Sequence, residues 1–216
     1  ITLALWVSFP QFHEQAVQHK KLLLRQRSWL YYALTFLGGA RRQIFMVFAG
    51  FMMVEKFGYS AADISLLYLV NYLFNLFFAP RIGAWVGRVG ERLALRVEYL
   101  GLIAVFTGYA FVEDANIAAG LYIVDHLFFA LSIAINTYFQ KIADPKDIAA
   151  TSSVSFTINH IAAVFIPALL GLLWLSSPAA VFLIGAGIAV VSLLLSSLIP
   201  DKPIAGMETR LVAAGP

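Results

Sequence analysis

Residues 179–199 read AAVFLIGAGIAVVSLLLSSLI, between Pro178 and Pro200. Nothing in the run ionises, and its length suits one helical crossing of a bilayer core, about 20 residues. It is continuous rather than alternating, which selects a helix over a barrel strand. Pro200 stops it, because proline cannot continue a helix. Working back from this block, five more apolar runs precede it, at 29–55, 62–78, 93–112, 117–140 and 149–175. The expected fold is therefore all-α: a polytopic membrane helix bundle with six transmembrane helices.

Composition agrees. The chain has 216 residues, of which 61% are hydrophobic and 12% charged, with mean hydropathy +0.81. A soluble domain carries about twice that charged share. The net charge of +3 does not signal nucleic-acid binding, because the basic residues cluster in short links between apolar blocks. One set of alternate links carries Lys20, Lys21, Arg25, Arg27, Arg81, Arg88, Arg92, Arg96, Lys141, Lys146, Lys202 and Arg210, and the other carries Lys56 alone. Such segregation puts the basic side in the cytoplasm. Both ends of the six-helix unit then lie inside, in a plasma or inner membrane. The absence of cysteine removes disulfides, thiol catalysis and cysteine-held metals. Residues 1–8 are apolar but too short to span, and read as the end of a preceding transmembrane helix. Residues 9–28 read as a cytoplasmic linker, 29–200 as the six-helix bundle and 201–216 as a mobile cytoplasmic tail. On this reading the chain is a fragment.

The link after the second block, residues 81–92, reads RIGAWVGRVGER. It resembles the cytoplasmic signature of the major facilitator superfamily, Gly-x-x-x-Asp/Glu-Arg/Lys-x-Gly-x-Arg/Lys-Arg/Lys. The matching residues are Gly83, Arg88, Gly90 and Arg92. Gly87 stands at the acidic position and Leu93 at the last basic one. In that family the motif follows the second helix of each six-helix half, as here, and the second copy is often degenerate. The resemblance therefore implies the carboxyl-terminal half of a twelve-helix transporter. A missing amino-terminal half, or a second copy, would complete it. It also implies that the first, second, fourth and fifth helices of the half surround the solute cavity.

Buried polar groups test that implication, since ionisable residues in a bilayer face a bundle interior or a water-filled cavity. The first span holds Arg41 and Arg42, the second Asn71 and Asn75, the fourth Asp125, His126 and Asn136, and the fifth Asn159 and His160. The third holds only Glu98, near its basic end and read as an interfacial partner for an arginine. Helical spacing refines the choice. Tyr31, Thr35 and Arg42 share a face, as do Ser152, Ser155 and Asn159. Asp125, Ser132, Asn136 and Gln140 fall on one expected stripe.

The expected function is secondary active transport of a small solute by alternating access. Arg42, with Arg41, Asn71, Asn75, Asn136 and Asn159, is the candidate substrate set. Guanidinium suits an organic anion and stays charged. Asp125, His126 and His160 are the candidates for proton coupling. Two other readings stand beside it: an intramembrane enzyme built on the Asp/His groups, and a non-transporting receptor on a transporter fold. No hydrolase or metalloprotease motif is present, so no catalytic set, metal or cofactor is expected.

Overall fold

The computed structural model describes residues 24–211; residues 1–8 and most of the linker 9–28 lie outside that range. Among the described residues there are six long helices. The first, α1, runs as an α-helix over Trp29–Gln43, a π-helical stretch over Ile44–Ala49 and a last α-helical turn and a half over Gly50–Glu55. The others are α2 (Ala61–Val89), α3 (Glu91–Phe111), α4 (Ala115–Ile142), α5 (Ile148–Trp174) and α6 (Pro178–Ser196). Inside α4, Ala130–Ser132 tightens to a 3₁₀ turn. Five of the six are individually long and apolar enough to cross a membrane. In the first, Arg41, Arg42 and Gln43 interrupt the apolar run and the π-helical stretch divides the helix.

Local chemistry explains where the helices begin. Ser60 and Asp63 close a capping box at the start of α2. Asp114 Oδ1 accepts from the backbone N–H groups of Asn116 (2.8 Å) and Ile117 (3.0 Å) at the start of α4. Ser177 caps α6, whose first residue is Pro178. One expected boundary fails. The second span was expected to end at Pro80, yet α2 runs through it to Val89. Proline removes one backbone donor, and the Arg81 guanidinium donates at 2.8 Å to the Phe77 carbonyl beside that gap. The link expected at 81–92 is thus mostly helix, and only Gly90 breaks it.

Contacts between helix ends sort them into two faces. On one, Arg25 meets Asp147 at 2.9 Å, Lys141 meets Glu91 at 2.6 Å and Arg92 meets Asp201 at 2.6 Å. On the other, Lys56 donates to the Val112 carbonyl at 2.7 Å, Tyr59 to the Ala115 carbonyl at 3.2 Å and Trp174 to Glu55 at 2.9 Å. The six helices therefore alternate in direction, and residues 24–28 and 201–211 share a face. The tail was expected to be mobile. Residues 201–211 instead fold back on the helix ends: Glu208 and Thr209 are buried, and the Tyr138 hydroxyl donates to the Glu208 carbonyl at 2.6 Å. Asp201 bridges Arg92 and Arg210. Arg210, by hydrogen bonding, is the main cause holding its carboxyl below the usual carboxylate range, with Arg92 adding to it.

The interior is two apolar cores, one above the other. One holds Phe48, Met53, Phe106, Tyr109 and Phe182. The other holds Leu30, Leu34, Tyr99, Tyr138 and Ile199. On α1 and α4 the sequence passes from one core to the other at Arg41 and Asp125, and on α3 Glu98 stands just before Tyr99, the last residue of the second core on that helix. All three are buried and form a charged layer near the join of the two cores, across which Phe128 packs against both. Helices α3 and α6 pack along each other, with 44% and 39% of their spans buried, whereas α2 and α5 are 6% buried each. Those two keep their outer faces open to further partners or lipid.

Candidate functional site

Two neighbouring cavities open at the charged layer. The first, about 410 Å³, is walled by α1, α4 and α5. The second, about 390 Å³, is walled by α1, α2 and α4. Arg42, Phe129, Ser132 and Asn136 line both. Helix α6 lines neither, and α3 contributes Glu98 alone.

Arg42 lies between the cavities. Its guanidinium is 5.5 Å from the centre of the Phe129 ring, a cation–π contact. It has no ion-pair partner among the described residues. Arg41, one residue earlier and about 100° round the helix, is 4% exposed. Its Nη2 lies 3.6 Å from Glu98 Oε1 and its guanidinium stacks 4.6 Å over the Tyr99 ring. Its Nε donates to the Leu37 carbonyl at 3.4 Å. Arg41 Nη1 and Glu98 Oε2 are buried without a partner. Two adjacent arginines thus have different surroundings, one held by a carboxylate and one facing open space. The π-helical stretch begins just after them at Ile44. Such bulges often mark functional segments of helices.

The other expected residues divide. Asn136 and Asn159 line the first cavity, with Tyr31, Thr35, Ser152 and Ser155. Asn159 Nδ2 donates to the Ser155 carbonyl at 3.1 Å. Asn75 and His126 line the second cavity with Tyr68 and Tyr72. Asn71 does not belong with them. It is 1% exposed, lines neither cavity, and has no hydrogen-bond partner for either side-chain atom. Tyr68, Tyr72 and Asn75, at helical spacing of four and three, form the row that faces the space, leaving Asn71 inside the packing. His160 is also misplaced by the sequence reading. It is exposed, stacks on Phe156 at 4.0 Å and has Nδ1 2.9 Å from the Phe156 carbonyl. One residue past Asn159 has carried it off the cavity face.

Asp125 is 2% exposed and lines only a pocket of about 10 Å³ with Arg41, Arg42 and Phe129. That is room for about one water molecule. The single stripe expected from Asp125 to Gln140 is broken, because the 3₁₀ turn at Ala130–Ser132 changes the angular step between them. Ser132 and Asn136 turn to the cavities while Asp125 turns inward. Glu98 is the residue the sequence reading undervalued. It is not interfacial but 2% exposed at the core boundary. Seven residues separate it from the start of α3 at Glu91, two helical turns, which was the available signal.

The signature residues sit at the basic face. Gly83 lies within α2 with nothing near its missing side chain, Arg88 is in its last turn, and Gly90 is the junction to α3. Arg92 pairs with Asp201. The family model described as Major Facilitator Superfamily matches residues 6–167.

The chain belongs to the major facilitator superfamily.

No curated protein and no solved structure matches it. Major facilitator proteins are secondary transporters of small solutes rather than enzymes, and they work embedded in a lipid bilayer. The helices that wall the two cavities, α1, α2, α4 and α5, are those the superfamily resemblance implied.

Proposed function

We propose that this chain forms one wall of the cavity of a secondary transporter for a small organic anion, coupled to protons and working by alternating access. The observation that carries the reading is Arg42, a cation without a carboxylate partner among the described residues, at the meeting of two cavities. A guanidinium there attracts carboxylate or phosphate. Asn75, Asn136 and Asn159 supply amide groups to orient the solute's neutral part, and Arg41 adds positive potential from behind. Asp125 and His126 border the same arginines and are the groups through which protons would move. The second wall comes from an amino-terminal six-helix half or from another copy, meeting the open faces of α2 and α5. Residues 29–200 are the transmembrane unit and the tail is cytoplasmic.

The test is uptake into proteoliposomes of labelled monocarboxylates and of inorganic phosphate by the whole transporter and its Arg42→Ala variant. Loss of a charge-assisted contact worth about 1.5–3 kcal/mol lowers affinity on the order of ten- to a hundredfold. Wild-type rate and affinity in Arg42→Ala would sink the anion assignment.

A further inference from the structure

Arg41 and Glu98 form the one ion pair in the charged layer among the described residues, and both line the first cavity. The pair is loose. At 3.6 Å it is longer than a direct hydrogen bond, and each partner keeps one buried polar atom unpaired, Arg41 Nη1 and Glu98 Oε2. Buried polar atoms are normally satisfied. The space beside them is large enough for a small molecule. An anion in it lies beside Arg42 and Arg41, and Arg41 keeps the buried Nη1 unpaired. Glu98 already faces the same guanidinium, so two negative groups would share it in a site shielded from water. Like charges at such close quarters are not both held ionised.

We propose that Glu98 occupies Arg41 as a stand-in for the solute, and that the solute's anionic group displaces it, the freed carboxylate taking a proton from water. This rests on the anion reading above and moves the bound proton from Asp125 and His126 to Glu98, the one α3 residue that lines the cavities. The exchange balances: one anion enters, one ion pair breaks, one forms, and one proton moves from solution to a Glu98 carboxylate oxygen. When the anion leaves, Glu98 returns to Arg41 and gives the proton up. Solute and proton therefore bind together.

The groups facing Glu98 are few. From α1 come Arg41 and Arg42, which line the same cavity, and from α4 comes Asp125, which shares a small pocket with both arginines. Tyr99 neighbours Glu98 on α3 and lies under Arg41. His126 lines the other cavity. Helix α6, packed on α3, has no ionisable residue. Helix α2 brings Asp63, Tyr68, Tyr72, Arg81 and Arg88, none of which bonds to Glu98.

The whole transporter in nanodiscs, titrated with benzoate in weak buffer beside a pH electrode, tests this. Wild type is expected to take up about one proton per benzoate bound, and its affinity to weaken about tenfold per pH unit once Glu98 is ionised. Glu98→Gln, already neutral, should bind benzoate without proton uptake and with little pH dependence. Asp125→Asn should keep the uptake. Benzoate bound by wild type with no proton uptake overturns the proposal without need of any variant. So does uptake abolished in Asp125→Asn but kept in Glu98→Gln. Both outcomes leave the anion reading standing. Failure of wild type to bind either benzoate or inorganic phosphate at any pH overturns the anion reading, and this proposal with it.

Discussion

Gly83 and Gly90 belong to one motif, but the backbone gives them different duties. Gly90 sits at φ 85° and ψ 158°, a region closed to residues with a Cβ at about 1–3 kcal/mol. It lets α2 stop and α3 start with no intervening loop, while its carbonyl accepts from Ala94 N–H at 3.2 Å. Gly83 is plain helix with open space where a Cβ would stand. Gly90→Ala should therefore lower stability by about 1–3 kcal/mol, and Gly83→Ala should be neutral or slightly stabilising. Thermal unfolding in detergent checks both, and an equal loss in the two variants would refute the distinction. Gly90 was legible in the sequence because a motif singled it out. Gly101 was not, although a Cβ there would come within 2.3 Å of the Phe128 ring, where α3 crosses α4. Close approach between distant segments leaves no local signature. The same limit hid Glu98, whose importance depends on Arg41 lying opposite, and it misplaced Asn71 and His160 by one helical step.

The helices themselves were legible as apolar blocks, because each must bury its own backbone bonds in lipid. Their irregularities were not. Nothing in Ile44–Ala49 announces a π-helical stretch, nor Ala130–Ser132 a 3₁₀ turn, yet the latter decides which way Asp125 faces. Pro80 misled for a related reason. In water a mid-helix proline leaves a carbonyl and a clash that end the helix; within a bundle, neighbouring side chains satisfy the freed groups. Here the carbonyl that loses its donor is that of Leu76, four residues before Pro80, and α2 nevertheless continues to Val89. Pro80→Ala should therefore raise the melting temperature by restoring the backbone bond to the Leu76 carbonyl. The Arg81 guanidinium bonds the Phe77 carbonyl and not that of Leu76, so Arg81→Ala should have the same effect in the wild-type and Pro80→Ala backgrounds. A clearly larger loss in the wild-type background would show the guanidinium compensating for the proline and would refute this account.

Alternation of the six helices assigns the links to two faces, and charge then chooses which face is which. The ion pairs Arg25–Asp147, Lys141–Glu91 and Arg92–Asp201 tie together the face that also holds most lysines and arginines. Lys56 stands alone on the opposite face, bonded to the Val112 carbonyl and Glu113. Basic links are retained on the cytoplasmic side during insertion, which predicts that side for the folded tail around Glu208 as well. These 216 residues hold no cysteine, so single cysteines placed among them test the orientation. Asn116→Cys, in the first turn of α4, and Ser176→Cys, between α5 and α6, should react with a membrane-impermeant maleimide on intact cells. Lys146→Cys and Lys202→Cys should react only after the membrane is permeabilised. The reverse pattern would place the basic face outside and overturn the orientation. Labelling of Asn116→Cys and Lys146→Cys from the same side would contradict the single crossing by α4, and with it the alternation on which the cavity depends.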